Sequence, residues 1–206
     1  MVASVRPPAV VLFDLGGVLV HVTGFALLAS LLESMGKDAS GDAVRARWLA
    51  SPAVRSFELG QMPPAEFAER LVAEWQLPIE PAAFAEDFAN WIVGPFAGAE
   101  QLVTDLQDRG YHVSCLSNGN ALHWEAMRDF LSRLDSTFSS HLLGEIKPDE
   151  QAFTATAARL GVDPADMVFL DDSRPNIATA KRLGMRSFLV HGPDACRAAL
   201  VAEGLL

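Results

Sequence analysis

The sequence predicts an α/β fold in which a doubly wound parallel sheet forms the core and a small all-helical cap is inserted after the first strand. Three short apolar runs, at 10–13, 113–116 and 167–170, end at polar residues and are followed by helical patterns. Such runs are typical of strands buried on both faces, and strands that alternate with helices usually pair in parallel. The long segment between the first two runs has only a helical period.

Each predicted core strand ends at a polar residue. The run 10–13 leads into Asp14 and the pair Gly16-Gly17, which predicts a turn. The second run ends at Ser117 and the third at Asp171. Because ligands bind at the carboxyl ends of strands in open α/β sheets, we expect these residues to line one crevice.

The predicted helices of the core have recognisable ends. One is expected to begin at Pro148 and to end at Gly161, and another to begin near Pro175 and to end at Gly184. A last strand is expected at 187–190. These elements complete the alternation of strands and helices that a parallel sheet requires.

Residues 21–93 are predicted to form the cap, and residues 1–20 and 94–206 the core. The insert has apolar residues at helical spacing, and its aromatic residues, Trp48 included, are interpreted as its apolar core. The clearest repeats are Phe67, Leu71 and Trp75, then Phe84, Phe88 and Trp91.

Composition excludes several classes of protein. The chain has 206 residues and a formal net charge of −10, which disfavours nucleic acid and anionic membranes as partners. Cys115 and Cys196 are far apart and are predicted to be buried thiols. The first nine residues do not resemble a secretory signal, and no run of apolar residues is long enough to span a membrane. We therefore expect a cytoplasmic monomer or weak homodimer.

The polar residues at the strand ends form a coherent set for phosphate chemistry. Carboxylate oxygens suit Mg²⁺, which is often shared with a substrate phosphate. A lysine balances negative charge, and hydroxyl and backbone N–H groups hold phosphate oxygens. The set comprises Asp14, Ser117, Asn118, Lys147, Asp171 and Asp172.

Four segments resemble, in the right order, the motifs of the haloacid dehalogenase superfamily of hydrolases. They are 13–19 around Asp14, 116–118, 146–149 around Lys147, and 169–173 with Asn176. The resemblance covers nearly the whole chain and implies a Rossmann-like core and a small helical cap of the C1 type. Members of this kind are Mg²⁺-dependent phosphatases that act on small phosphorylated metabolites through an aspartyl-phosphate.

The resemblance also implies how each residue acts at the metal. Asp14 would be the catalytic nucleophile and the first Mg²⁺ ligand. The Gly16 carbonyl and Asp172 would complete the protein ligands, while Asp171 and Asn176 would support the metal site from behind.

The phosphoryl group would be bound by Ser117, by the Asn118 backbone and by Lys147, which is also counted as catalytic. The segment 57–61 resembles the Glu-x-Gly pattern of such caps. The chain is also similar to bacterial sugar-phosphate phosphatases, including those that act on glucose 1-phosphate. A sugar phosphate is therefore the favoured substrate.

One position departs from the pattern of the superfamily. Gly16 stands where the usual general acid, an aspartate, is found two residues after the nucleophile. A positioned general acid contributes roughly 10²- to 10⁴-fold to a rate. His21 and His123 are considered as replacements because histidine titrates near neutrality, but both are interpreted as bystanders.

Two other functions are consistent with Gly16. A carbon–halogen hydrolase of the same superfamily needs no general acid, although the doubled Asp171-Asp172 argues against it. A catalytically impaired protein that only binds a phosphorylated ligand is the second alternative.

Overall fold

The fold is described here from a computed structural model, which covers residues 8–206. Residues 1–7, which belong to the predicted core and to the segment considered for a secretory signal, lie outside the described residues. The strands are β1 Val10–Phe13, β2 Val20–Val22, β3 Ile92–Pro95, β4 His112–Ser117, β5 Ser136–Ser139, β6 Met167–Asp171 and β7 Arg186–Leu189.

Helices flank the sheet and fill the insert. They are α1 Gly24–Ser34, α2 Gly41–Ala50, α3 Pro52–Glu58, α4 Pro64–Trp75, α5 Pro81–Ala89, α6 Ala99–Asp108, α7 Ala121–Ala126, α8 Arg128–Leu131, α9 Ser140–Leu143, α10 Glu150–Leu160, α11 Arg174–Arg182 and α12 Gly192–Ala202. Within residues 8–206, none of these helices has the length and apolarity needed to cross a membrane.

The main sheet is parallel, with the strand order β5-β4-β1-β6-β7. Residue Val10 pairs with His112 on one side and with Met167 on the other, so β1 lies in the middle. Every residue of β1 and β6 is buried, as expected for strands covered by helices on both faces. The predicted α/β fold is confirmed.

Strand β5 was not predicted from the sequence. It reads Ser-Thr-Phe-Ser, and only its last residue, Ser139, is buried. An edge strand needs fewer apolar residues than a central one, so it leaves no apolar run in the sequence.

A two-stranded antiparallel ribbon, β2–β3, joins the ends of the insert. The expectation that the segment between Val22 and Val93 contains no strand is therefore wrong at its borders. Both strands are short and partly exposed, and β3 contains Gly94 and Pro95, which are poor strand formers. Pairing between distant segments stabilises the ribbon.

The insert has a hydrophobic cluster of its own, separate from the clusters on the two faces of the sheet. It is built from aromatic rings, among which Phe57 stacks on Phe67 with centroids 4.2 Å apart. Trp48, Trp75 and Trp91 are buried in it, as predicted. Aromatic pairs add to the stability gained by burial.

The predicted helix ends at Gly161 and Gly184 and the two predicted thiols agree with the structure, but α10 begins at Glu150 rather than at Pro148, which lies in the preceding turn. Helix α11 begins directly after Ser173 and ends before Gly184, whose φ of +87° suits glycine. Cys115 and Cys196 are buried free thiols.

Candidate active site

Three carboxylates lie together at the carboxyl edge of the sheet. Asp14 follows β1, and its backbone N–H donates a 2.8 Å hydrogen bond to the Leu170 carbonyl of β6. Asp171 ends β6 and Asp172 follows it. One oxygen from each of the three carboxylates lies within 4.8 Å of the others. Such a cluster of like charges requires a cation to be stable.

Lys147 supplies one positive charge. Its Nζ lies 3.0 Å from Asp14 Oδ1 and 2.7 Å from Asp171 Oδ2, and the residue is 2 % exposed. Burial alone would lower the pKa of Lys147, but the charges of Asp14 and Asp171 outweigh it and raise that pKa. The lysine is therefore charged at neutral pH.

At Asp14, in contrast, the effect of burial on the pKa outweighs the attraction of the neighbouring lysine. Burial raises the pKa of Asp14 to about 7, with Lys147 opposing the rise and Asp171 and Asp172 adding to it. Lys147 therefore does not offset the burial of Asp14 and the charges of its two neighbours. A second cation would favour the ionised form that a nucleophile needs.

Asp171 is held by the protein on both oxygens. Oδ1 accepts hydrogen bonds from the Ser173 backbone N–H at 2.7 Å and from Asn176 Nδ2 at 3.0 Å, and Oδ2 accepts from Lys147 and Asn176. These bonds occupy both oxygens and fix the orientation of the Asp171 carboxylate, while the supporting role of Asp171 and Asn176 at a metal site stays a prediction.

Asp172 differs because one of its buried oxygens is not hydrogen-bonded. Oδ2 lies 2.9 Å from the Arg45 guanidinium of α2, but no N–H is aimed at it, so the contact is ionic only. Burial raises the pKa of Asp172, and Arg45 opposes that rise. A Cβ on Gly17 would lie 2.7 Å from this oxygen, so only glycine fits there. A carboxylate oxygen that lies beside Asp14, faces a positive charge and accepts no hydrogen bond is of the kind that binds a hard divalent cation.

Gly16 lies between these groups in the turn after β1. Its φ is not in the left-handed region, and a Cβ there would make only an ordinary 3.5 Å contact with Val22. The backbone therefore does not require glycine at this position. The site lacks the usual acid because glycine has no side chain, and not because the backbone excludes one.

Ser117 and Asn118 lie at the end of β4, on the other side of Asp14. The Asn118 amide donates from Nδ2 to the Lys147 carbonyl at 2.8 Å, and the Lys147 N–H donates to Asn118 Oδ1 at 2.9 Å. The Asn118 side chain thus fixes the lysine loop, which contains a cis Lys147–Pro148 peptide. Both Ser117 and Asn118 line the cavity that contains Asp14.

The two histidines considered as replacements for the acid differ in position, since His123 lines the cavity and His21 does not. His21 stacks on Phe96 with ring centroids 5.3 Å apart and is not among the residues that line the cavity. His123 lies 2.7 Å from the Phe88 carbonyl through Nε2 and 3.2 Å from Asn120 Nδ2 through Nδ1. Burial lowers the pKa of His123, which makes it a poor proton donor at neutral pH.

Two charged residues of the insert face the site, and the sequence did not assign them a role. One is Arg45, which also lies over the Phe25 ring at 5.4 Å. The other is Glu58, which ends α3 and accepts a 3.2 Å hydrogen bond from Trp48 Nε1. Glu58 belongs to the Glu-x-Gly segment found in the sequence, but no motif marks Arg45, and the approach of both residues depends on how the helices of the insert pack over the sheet.

The Glu58 backbone also connects the insert to the core. Its carbonyl accepts a 2.5 Å hydrogen bond from Ser140 Oγ, and the same hydroxyl accepts the Gly119 N–H at 3.0 Å. The end of α3 is therefore tied to the loop that follows Ser117. This contact fixes Glu58 beside the candidate site.

We expect Glu58→Gln to stabilise the metal-free protein at pH 8 but not at pH 4.5. Burial is the main cause that raises the pKa of Glu58 to about 7 from 4.5. The folded state holds this proton where the unfolded chain has lost it, so stability falls as pH rises from 4.5 to 7. Glutamine removes that loss, worth about 3 kcal/mol at pH 8.

Urea unfolding at both pH values with a chelator measures this difference. Glu69→Gln, at an exposed position of α4, is the matched control and should change little. An equal gain at both pH values would mean that the charge of Glu58 is not the cause.

The fold and the site together define an α/β hydrolase with an acidic cation site at the carboxyl edge of its sheet. A family model described as haloacid dehalogenase-like hydrolase matches residues 8–184. The chain belongs to this family.

Curated relatives include several phosphatases. Phosphatase MT3486 of Mycobacterium tuberculosis is 26% identical over 172 residues, which cover 76% of this chain and 74% of the relative. The bifunctional riboflavin kinase/FMN phosphatase of Arabidopsis thaliana is 26% identical over 192 residues, 87% of this chain. The chain spans only 48% of that relative and 18% of acyl-CoA dehydrogenase family member 10 of Mus musculus.

Solved structures share the fold. The HAD family enzyme bt-2542 of Bacteroides thetaiotaomicron, in complex with magnesium and inorganic phosphate, aligns with a TM-score of 0.66 at 22% identity. The alignment covers 90% of this chain and 93% of that enzyme. At this identity the likeness shows the fold alone.

Proposed function

We propose that the protein is a Mg²⁺-dependent phosphatase that hydrolyses a small phosphate monoester through an aspartyl-phosphate at Asp14. The observation that carries the proposal is the buried trio Asp14, Asp171 and Asp172 facing one lysine, with an Asp172 oxygen free of hydrogen bonds. The donors fit Mg²⁺, and relatives named as phosphatases and a neighbour bound to magnesium and phosphate support the same function.

Asp14, the Gly16 carbonyl and Asp172 would hold the metal ion, which would neutralise charge on the phosphoryl oxygens. Lys147, itself held by Asp171, orients Asp14 through a 3.0 Å contact with Oδ1. In the first step an Asp14 oxygen attacks phosphorus, the bond to the ester oxygen breaks, and the leaving group departs as an alkoxide that takes a proton from water. In the second, water attacks the phosphorus of the aspartyl-phosphate and gives a proton to solvent, and the bond to Asp14 breaks, which releases inorganic phosphate and returns Asp14 as a carboxylate.

The phosphoryl group would be bound by three groups on the β4 side. They are the Ser117 hydroxyl, the Asn118 backbone N–H and the Lys147 ammonium, and these three residues line the cavity with Asp14. We further propose that residues 21–93 act as a cap, since α3 is tied to the core beside this site. A sugar phosphate is the substrate favoured by the sequence resemblance.

A panel of phosphate monoesters assayed for inorganic phosphate release with Mg²⁺ and with chelator tests the proposal. We expect release with Mg²⁺ and none with chelator. Halide release from 2-haloacids that is unaffected by chelator would identify a dehalogenase instead. Thermal stabilisation by the esters without any turnover would identify a binding protein.

A third prediction concerns the metal. Asp172→Asn is expected to lower activity at least about 100-fold and to abolish the rise in melting temperature that Mg²⁺ causes, because few protein oxygens anchor the ion. In chelator the variant should melt at or above the wild-type temperature, since a buried charge is removed. The control is Asp108→Asn, which changes an exposed acid on α6. Unchanged Mg²⁺ stabilisation in Asp172→Asn would exclude Asp172 as a ligand.

A further inference from the structure

A cavity of about 210 Å³ extends from the phosphate end of the site towards the insert. By volume it holds roughly seven water molecules, which suits a compact leaving group. The residues that the insert contributes to the lining are mainly apolar. The apolar ones, which we call the wall, include Val22, Phe25, Trp48, Leu49, Trp91 and Ile92.

The polar atoms of the aromatic wall are already used by the protein. Trp48 Nε1 donates to Glu58 at 3.2 Å, and Trp91 Nε1 donates to Asp87 at 2.7 Å. Both indole N–H groups are therefore unavailable to a ligand. Their rings present only carbon surface to the cavity.

The Asn120 amide and the His123 imidazole, which also line the cavity, make hydrogen-bond contacts with other protein groups. The two ring nitrogens of His123 contact the Phe88 carbonyl and Asn120 Nδ2. Asn120 Oδ1 accepts the His123 backbone N–H at 3.0 Å. Both ring nitrogens of His123 are therefore in contact with protein groups, while the Asn120 amide keeps one N–H and one lone pair beyond these bonds.

Arg45 and Glu58 are the charged residues that the insert contributes to this lining. Arg45 is engaged by Asp172 and lies over the Phe25 ring. Glu58 has one oxygen occupied by Trp48. Arg45, Glu58 and Asn120 keep some hydrogen-bonding capacity, but the apolar side chains offer none, so hexose hydroxyls placed against them would lose water without gaining a partner, which is unfavourable.

We infer that the leaving group of the substrate is a compact apolar or aromatic alcohol rather than a polyhydroxylated sugar. The inference rests on the proposed phosphatase function. An apolar ring would gain from contact with Phe25, Leu49 and Ile92 and would leave no hydroxyl unpaired. This substrate class differs from the sugar phosphate that the sequence resemblance favours.

Cyclohexylmethyl phosphate and glucose 6-phosphate test the inference as a matched pair. Both are esters of a primary alcohol on a six-membered ring, and only the second carries ring hydroxyls. With Mg²⁺ present, we expect kcat/KM to be higher for cyclohexylmethyl phosphate by about tenfold or more. An equal or higher kcat/KM for glucose 6-phosphate would overturn the inference and leave the phosphatase function intact. Absence of phosphate release from every ester would instead contradict the function itself.

A pair of variants tests whether the wall sets this preference. Leu49 lines the cavity and is 47% exposed, while Leu142 on α9 is 61% exposed and does not line it. Leu49→Gln should reduce the preference about threefold or more, because the amide offers a partner to a hydroxyl. Leu142→Gln should leave the ratio unchanged. If Leu49→Gln also leaves it unchanged, the leaving group does not contact this wall and the inference is wrong.

Discussion

Asp14→Asn should reduce phosphate release at least about a thousandfold, because the amide keeps the shape of the side chain but is not a nucleophile. The variant should remain folded. Burial raises the pKa of Asp14 to about 7, so the ionised carboxylate costs stability above that pH in the metal-free protein. We therefore expect an equal or higher melting temperature for Asp14→Asn at pH 8 in chelator.

Steady-state kinetics with the best ester of the panel, together with a thermal melt, measure both effects. Asp163→Asn, at an exposed residue before Pro164, shows what the same chemical change does away from the site. A folded Asp14→Asn protein that keeps more than a tenth of wild-type activity would show that Asp14 is not the nucleophile.

Lys147→Met should affect both activity and stability. The methionine removes the buried cation that lies within 3.0 Å of Asp14 and Asp171 and leaves two buried carboxylates without it. Breaking such a pair by removing one partner typically costs about 3–5 kcal/mol. We expect a loss of this size at pH 8 in chelator, a smaller loss at pH 5 where Asp14 can be protonated, and no measurable turnover.

Urea unfolding at the two pH values measures the loss. Lys181→Met changes an exposed lysine of α11 and is the matched control. If Lys147→Met unfolds at the wild-type urea concentration at pH 8, the lysine does not balance the charge of the carboxylates.

The core strands could be predicted because burial on both faces leaves a clear sign in the sequence. Runs such as 10–13 and 167–170 are apolar without interruption, and the structure places both in the centre of the sheet. β5 and the β2–β3 ribbon lie at edges, where pairing with a distant segment replaces apolar content. Their sequences therefore carry little information about the pairing.

The candidate site also has a part that the sequence predicts and a part that only the packing of the chain reveals. Asp14, Ser117 and Asp171 could be expected to meet because each ends a strand of one parallel sheet. Arg45 and Glu58 could not be placed, since their approach depends on the packing of α2 and α3 over the core. The Asp172 oxygen that accepts no hydrogen bond, and the indole N–H groups that donate to carboxylates, can likewise be recognised only in the structure.

Gly16 gives the site a distinct chemical character. Its backbone conformation and its distance from Val22 both permit a side chain, so Gly16→Asp should fold normally. Without an acid at this position, the departing oxygen carries more negative charge in the transition state. An apolar cavity combined with weak protonation is consistent with an aryl or otherwise acidic alcohol as the leaving group.

The stereochemical course at phosphorus tests the central claim most directly. A thiophosphate ester made chiral at phosphorus with oxygen isotopes is hydrolysed in isotope-labelled water, and the configuration of the inorganic thiophosphate is determined. Transfer to Asp14 followed by transfer to water comprises two in-line displacements, so we predict retention of configuration. Inversion would show that water attacks the ester directly and would contradict an aspartyl-phosphate at Asp14.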